Sequence, residues 1–549
     1  MTKARVHLPH ANFPRTALGS PSPPTLGIGA SCTIVHPPRN VVSFPWAVSW
    51  NQLGRREFSR ENMSIHNLRE FIRLIEKQGE LKRIKAPISR DLEIAEITDR
   101  VSKSSTGNVA LLFENVEGSS IPVLTNAFGS MKRMAWALGV DDLEEPGRRL
   151  AKLISPEQIG PQKGLANRVR QFGQAVDLVR FGPKLVNKAP CQEVIVTQDP
   201  SLSALPIMKC WPQDGGRFIT MPLVITRDPA TGRRNVGTYR LQVYDGQTTG
   251  LHWHLHKGAA QHHRAALEAG QRLEVAVALG AEPALTYAAT APLPPDLDEV
   301  LLAGWLARHK IEMIKGVTVD LEVPAQAEIV LEGYMDPQES RLEGPFGDHT
   351  GFYSLEDQYP VFHLTAITHR KDPVYQATLV GRPPMEDYYM GKATERLFLP
   401  LIRLVLPEVV DVNMPWQGVF HNLVLVSIKK TYPGQGRKVI SALWGLMLLM
   451  LSKLIVVVDE DVDVQDLDQA LWWMCNNFDP RRDLVVMDGP LDDLDHSSPT
   501  AHYGAKLAID ATRKTAEEGH LRPWPEAITM DPATRAIIDQ KWPSLGLKL

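Results

Sequence analysis

From Met63 onward the apolar positions recur at two different periods, and the changes of period divide the chain. In SIHNLREFIRLIEKQGELKRI, Leu68, Phe71, Ile72 and Ile75 fall on one helical stripe, with Ser64 as the predicted cap and Gly79 as the stop. A second helix is predicted near Asp91 to Ser102, and VALLFENV and IPVLTNAFG read as strands, so 63–190 is expected to form an N-terminal α/β domain. From 191 to 384 short alternating runs take over: EVIVT, FITMPLVIT, VGTYRLQVY, LHWHLH, LEVAVALG, AEIVLEGYM and PVFHLTAITHR, parted by turns such as DPATGRR. This spacing predicts an antiparallel barrel or sandwich with one helical insertion at Asp298 to His309. After GRPPMED, LVLVSIKK, LIVVV and DLVVMD are buried-strand candidates and QDLDQALWWMCNNF is an amphipathic helix, so 385–549 reads as a doubly wound α/β domain. The fold class expected is therefore α+β and multidomain.

One run is long enough to cross a bilayer, Val439 to Val458, VISALWGLMLLMLSKLIVVV. Lys453 interrupts it, and its halves differ. SALWGLMLLMLSK is rich in helix formers and LIVVV is β-branched, so a buried helix followed by a central parallel strand is predicted. Residues 1–62, with SPSPPTLG and HPPRN, have no sustained period and read as a disordered extension. They carry no continuous apolar run of signal-peptide type and too many prolines for a targeting helix, and Met63 could itself be the initiator.

At 549 residues the chain is too long for one core. A hydrophobic fraction of 43%, a charged fraction of 22% and a net charge of −3 fit a soluble protein with no global attraction to nucleic acid or anionic lipid. The four cysteines, Cys32, Cys191, Cys210 and Cys475, form no CxxC pair, which argues against a disulfide framework or a cysteine zinc site and fits the cytoplasm.

Candidate chemistry concentrates in three places. NVGTYRLQVYDGQTTGLHWHLHKG reads as a β-hairpin whose second strand would carry His252, His254 and His256 on one face, either as a metal or charged-ligand face or as a solvated one. Asn235 and Arg240 are five apart on the first strand, and a bulge at Gly237 would let both face one site. RLEGPFGDHTGFY reads on its own either as an ordinary turn with solvated acids or as a loop whose glycines give it the freedom to aim Glu343 and Asp348 into one cavity, where paired carboxylates would push one another's pKa apart and leave one protonated as a general acid. The third place is KKTYPGQGRK, whose cations and glycines suit a phosphate but match no standard phosphate-loop spacing, so that on its own it reads as a solvated basic loop. Glu299 alone reads as a first-turn acid favoured by the helix dipole, and the acidic run Asp459 to Asp466 as capping and solvation.

In order along the chain, NVGTYR, HKG, PxPxxLxE, DLEVPAxAEIVLEGY and LEGPFGDHTGFY closely resemble the UbiD family of reversible (hydroxy)arylic acid decarboxylases, typified by 4-hydroxy-3-polyprenylbenzoate decarboxylase of ubiquinone biosynthesis. The resemblance runs from Met63 to the C-terminus and takes in PIMKCWPQD and GRPPMED. It implies a split β-barrel middle domain of the flavin reductase-like kind holding prenylated FMN, with the phosphate bridged to Mn2+ and K+. It carries metal ligands onto Asn235, His256 and Glu299, and cofactor contacts onto Thr238, Tyr239, Arg240, His252, Trp253, His254, Lys257 and Gly258, with Lys430 as a candidate basic contact to the phosphate. Mixed oxygen and imidazole donors suit manganese. The catalytic set it implies is Arg240, Glu343 and Asp348, with Glu343 the first choice of proton donor and Asp348 its rival. His252 and His254 stand where many relatives have other residues, and Asp348 followed by HTG points to the aromatic-acid and quinone-pathway branch.

The expected activity is thus non-oxidative decarboxylation of a 4-hydroxybenzoate-type acid, bare or 3-polyprenylated, in ubiquinone or menaquinone biosynthesis, with a small phenolic or other unsaturated acid as the alternative substrate. A flavin prenyltransferase would supply the cofactor. The resemblance also implies a homo-oligomer, a dimer or hexamer, and a lipid-tailed substrate would bring a cytoplasmic enzyme to the membrane surface. Two competing readings are a zinc hydrolase using the HxHxH face and a flavin-phosphate-binding protein without turnover.

Overall fold

The computed structural model describes residues 64–154, 180–253, 258–294 and 297–547. The described residues belong to one compact unit, Arg60–Leu549. The expected disordered extension, residues 1–62, lies outside the described residues.

The opening stripe forms the helix Leu68–Lys77 and buries Leu68, Phe71, Ile72 and Ile75. Its cap is Asn67, which accepts from Glu70 N, and not Ser64, whose hydroxyl pairs with His66 and His309 instead. This helix packs by a four-stranded sheet, Leu81–Ile84, Ala110–Phe113, Val123–Thr125 and, from far along the chain, Tyr375–Gln376. The last strand pairs parallel with Val123–Thr125, so the segment just before GRPPMED is tied to the N-terminal sheet.

The middle of the chain forms a seven-stranded sheet in which Thr248–Gly250, Asp357–His369, Ile329–Glu343, Leu273–Leu279, Leu223–Arg227 and Arg234–Gly237 follow in order, with Val194–Val196 also pairing onto Asp357–His369. All its ladders are antiparallel. Among the described residues it forms no closed barrel. The backbone of the sheet is the long hairpin Ile329–Glu343 with Asp357–His369, whose register shifts at Glu332/Gly333 and Met335/Ser340. Only glycine fits at the first shift, since a Cβ on Gly333 would lie 1.9 Å from the His363 carbonyl.

The expected hairpin around the histidines does not form as read. Arg234–Gly237 pairs with Leu223–Arg227, whereas Leu241–Gln242 pairs with Phe218–Ile219 in a separate two-stranded sheet. The break falls where the Tyr239 ring tucks under Gly237, 2.4 Å from where a Cβ would sit, which takes the chain off the ladder. A turn does follow, with Tyr244 N donating to Thr248 O at 3.0 Å, but Thr248–Gly250 then joins the long hairpin. His252 and Trp253 lie beyond it in no strand, and His254 to Lys257 lie outside the described residues.

The C-terminal sheet runs Val409–Asn413, Leu423–Ile428, Leu454–Asp459, Tyr503–Asp510, Leu484–Pro490, with the central three parallel. Its strands read as continuous apolar runs because both faces are covered: Val424, Val426, Ile455 and Val457 pack with Val439 and Ile440, while Leu425, Val456 and Val458 pack with Ala470 and Trp473. Of the long apolar run, the central strand forms as expected at Leu454–Asp459, but the helix does not: Gln435–Leu443 ends at the start of SALWGLMLLMLSK, and Met447–Leu451 forms only a short 3-10 turn after Gly445 interrupts the helix formers. No helix among the described residues is long and apolar enough to cross a membrane. DLVVMD, expected to be buried, is instead the antiparallel edge, with Val486 67% exposed.

Candidate active site

Arg240 sits in the break between the strands Arg234–Gly237 and Leu241–Gln242, Glu343 is the last residue of the long strand Ile329–Glu343, and Asp348 lies in the loop that follows. The three converge. Arg240 donates from Nε and Nη2 to Oε1 of Glu343 at 3.1 and 2.8 Å, from Nη1 to Oδ2 of Asp348, and from Nη2 to the Ser354 hydroxyl at 3.3 Å. The guanidinium carbon stands 4.8 Å from the Phe346 ring centroid, a cation–π contact that favours the charged, stacked form. All three charged side chains are buried or nearly so, Glu343 at 2% and Asp348 at 8% side-chain exposure.

Two close backbone approaches hold the loop. A Cβ on Gly344 would lie 2.7 Å from Cα of Gly215, and Gly344 N donates to Gln242 Oε1 at 2.8 Å. Gly347 N donates to Asp214 Oδ1 at 2.8 Å, while Asp214 Oδ2 accepts from Cys210 N and Trp211 N at 3.1 and 2.8 Å. Trp211 then donates from Nε1 to the Val380 carbonyl at 2.9 Å. PIMKCWPQD is therefore the buttress of the carboxylate loop, and it ties that loop to GRPPMED.

The electrostatics differ from the sequence expectation. Burial pushes both carboxyls up, but Arg240 lies between them. With His252 beside Glu343 and His349 beside Asp348, it holds both below the ordinary carboxylate range. Neither keeps a proton at neutral pH while Arg240 is in place, because the shared cation and the neighbouring histidines outweigh the cost of burial. Burial draws the Arg240 guanidinium down, and the two acids more than compensate.

His252, expected at the cofactor wall, meets Glu343, with Nδ1 2.9 Å from Oε1 and its ring 4.1 Å from that of Tyr359. Three residues missed from the sequence join the cluster. His349 Nδ1 is 2.9 Å from Asp348 Oδ1, His349 Nε2 is 2.9 Å from His421 Nε2, and Asp387 stands close enough to raise the His349 pKa. The HTG after Asp348 was a signal for His349. Nothing marked His421.

Of the expected metal ligands, Asn235 and Glu299 lie among the described residues. Glu299 opens the helix Glu299–Ala307 behind the cap Asp298, and its Oε2 accepts from Val236 N at 3.0 Å, next to Asn235. Burial pushes the Glu299 carboxyl up to about 7. Asn235 Oδ1 lies over Gly258, 2.1 Å from where a Cβ would sit, and Nδ2 donates to Tyr239 Oη at 3.4 Å. His256, with His254 and Lys257, lies outside the described residues, among which no group of three His, Cys, Asp or Glu is placed to hold a metal. The Thr238 hydroxyl is buried without a hydrogen-bond partner among the described residues, and Trp253 meets Tyr239 edge-on at 6.3 Å. Lys430 is occupied elsewhere. Its ammonium donates to the Arg513 carbonyl at 2.9 Å, the Thr512 hydroxyl at 3.3 Å and Glu518, partners that follow the C-terminal sheet and not the Arg240 cluster.

Three family models match the chain. They are described as the 3-octaprenyl-4-hydroxybenzoate carboxy-lyase N-terminal domain over residues 72–153, the Rift-related domain over 184–383 and the C-terminal domain over 388–511. A protein of Aquifex aeolicus is 51% identical over 483 residues, 88% of this chain and 99% of the relative. Vanillic acid decarboxylase of Sedimentibacter hydroxybenzoicus in closed form superposes with a TM-score of 0.76 at 28% identity, covering 88% of this chain and 99% of its own. The UbiD-class enzyme HmfF from Pelotomaculum thermopropionicum in complex with FMN gives 0.73 at 30% identity over 87% of this chain and 100% of its own. An evolved dimeric form of HmfF in complex with prFMN gives 0.69 at 29%, over 86% and 98%.

Proposed function

Since this chain belongs to the UbiD family of carboxy-lyases, we propose that it decarboxylates a 4-hydroxybenzoate-type acid with prenylated FMN, as a step of quinone biosynthesis. The observation that carries this reading is Arg240 held between two buried carboxylates, at 2.8 Å from Glu343. An arginine so placed offers a bidentate fork to an incoming carboxylate. When Arg240 turns to the substrate, Glu343 and Asp348 lose the cation that keeps them charged, and one of them becomes the acid that protonates the carbon left by carbon dioxide. Burial of the cluster keeps competing water from that carbon.

The residues present fit the cofactor. Asn235 and Glu299 supply oxygen donors, with Glu299 accepting from the backbone N–H of the residue that follows Asn235, the Glu299 carboxylate is buried without a neighbouring cation strong enough to hold its pKa down, and the Thr238 hydroxyl is buried without a hydrogen-bond partner among the described residues. In our reading Asn235, Glu299 and His256 hold Mn2+, K+ accompanies it, and Thr238, Tyr239, Trp253 and Gly258 line the flavin in a split-barrel domain spanning 191–384, between α/β domains at 63–190 and 385–549. Bound prenylated FMN would act as the electron sink during loss of carbon dioxide. The FMN and prFMN complexes of HmfF support this assignment, and the vanillic acid decarboxylase supports an aromatic hydroxy acid as substrate. The dimeric HmfF form supports a homo-oligomer, and a cytoplasmic site of action completes the reading.

Protein produced with a flavin prenyltransferase should show a modified-flavin spectrum, bind manganese and release carbon dioxide from 4-hydroxybenzoates, screened with and without a 3-prenyl chain. Cofactor retention with no carbon dioxide or proton exchange on any acid would favour a binding protein. Stoichiometric zinc without flavin would favour a hydrolase.

A further inference from the structure

At neutral pH the proton nearest the reacting cluster is on neither carboxylate. It is on His349. Nδ1 of His349 lies 2.9 Å from Asp348 Oδ1 and Nε2 lies 2.9 Å from His421 Nε2. A nitrogen–nitrogen contact of that length needs one hydrogen on the line. Burial lowers the His349 pKa, but Asp348 on its own loop, Asp387 on the helix Glu386–Val405 and Asp492 beyond the edge strand outweigh it and bring it up to about 9. The ring therefore donates at both ends, and His421 accepts.

His421 is presented by a strained segment. Between the turn Trp416–Gly418 and the strand Leu423–Ile428, Val419 and Phe420 take left-handed φ values of 53° and 46°. A β-branched residue rarely adopts that conformation, and two consecutive non-glycine examples cost stability that other contacts must supply. What the strain secures is visible: Phe420 packs its ring 5.5 Å from that of His349, and His421 meets its Nε2.

We propose that His349 stores the proton that Asp348 delivers to the reacting carbon, and that His421 is the positioning residue that keeps His349 loaded and aimed. The inference rests on the decarboxylase reading above and assigns the delivering acid within it. When Arg240 leaves Asp348 for the substrate carboxylate, Asp348 becomes the stronger base. The Nδ1–H bond of His349 then breaks with its electron pair staying on nitrogen, and an O–H bond forms at Asp348 Oδ1. His349 is left neutral, its remaining hydrogen on Nε2 and donated to His421. Asp348 passes its proton to the carbon, whose electron pair, freed by departure of carbon dioxide, makes the C–H bond.

Two measurements test this on the full-length protein. In 15N-histidine NMR of the cofactor-free enzyme, one imidazole should stay protonated to about pH 9, vanish in H349N, and titrate roughly one unit lower in H421F, which removes the acceptor. In the loaded enzyme, H421F should lower kcat about tenfold with KM within twofold and move the alkaline limb of kcat to lower pH, whereas H421Q, whose amide oxygen still accepts from Nε2–H, should recover most of the rate. His349 titrating at an ordinary histidine value, or H421F with wild-type kcat and pH profile, overturns the proposal. Absence of carbon dioxide release from the wild-type enzyme counts against the decarboxylase reading alone, since the NMR titration does not depend on turnover.

Discussion

Arg240 spends two of its donors on a single oxygen of Glu343, Oε1, at 3.1 and 2.8 Å, and leaves Oε2 buried with no partner among the described residues. A buried carboxylate oxygen without a donor is costly, and a group that fills the site would relieve it. Replacing Arg240 removes both the substrate fork and the cation that sets the two pKa values. R240A should therefore lower kcat/KM by at least about a hundredfold, and R240K should recover little, because a lysine offers no planar fork. E343Q should also lose most activity. Full activity retained in both R240A and E343Q, in a carbon dioxide release assay, would remove this cluster from the chemistry.

The metal and flavin end of the site can be probed through the contact between Gly258 and Asn235. A methyl group at Gly258 would come 2.1 Å from Asn235 Oδ1, so G258A must push that side chain off its position. Its expected phenotype is loss of bound manganese and flavin, read as stoichiometry by elemental analysis and absorbance, with the apoprotein still folded by circular dichroism. N235A should match it. Unchanged manganese and flavin content in both variants would show that Asn235 does not hold the metal.

What could be read from the sequence follows the range of the forces involved. Leu68, Phe71, Ile72 and Ile75 were placed correctly because helical period is local, and Val424, Val426, Ile455 and Val457 because a strand covered on both faces is apolar throughout. The histidine hairpin suggested by local alternation does not form because its arms pair with Phe218–Ile219 and Asp357–His369, partners that no local pattern announces. Likewise two acids in a glycine loop suggested split pKa values, and only the arrival of Arg240 from 103 residues away reverses the sign for one of them. His421 meets His349 across 72 residues through a strained loop, and a lone histidine before a strand carries no local trace of that.

The charged cluster also sets how stability depends on pH. Asp348 and Glu343 have folded-state values below their ordinary 3.8 and 4.5, so their contribution is present above those values and is lost as pH falls below them. His349 has the opposite sign. Its folded value of about 9 exceeds the ordinary 6.5, so its contribution is complete below 6.5 and is lost as pH rises through 9. The wild-type Tm should fall between pH 7 and pH 9.5, and H349N should be less stable at pH 6.5 but show a shallower decline above it. Parallel Tm-versus-pH curves for the two proteins, by scanning calorimetry, would contradict the assignment.

The last prediction concerns a residue with no chemistry of its own. Gly344 follows Glu343 directly, and a Cβ there would meet Cα of Gly215 at 2.7 Å, main chain against side chain, with no flexible group to give way. Accommodating it means moving either the Gly215 backbone or the end of the long strand, and the second choice also pulls Gly344 N from Gln242 Oε1, now 2.8 Å away. Overpacking of this kind costs about 1–3 kcal/mol. A shift of about 1 Å at the end of a strand that carries a reacting carboxylate costs on the order of a hundredfold in rate. G344A should thus lose far more activity than stability. Gly445 is a suitable control, since it is exposed and its nearest neighbour for a new Cβ is an ordinary contact at 3.4 Å. G445A is expected to match wild type in urea unfolding and in kcat, and a G344A enzyme of wild-type kcat would mean that the Gly215–Gly344 approach does not position Glu343.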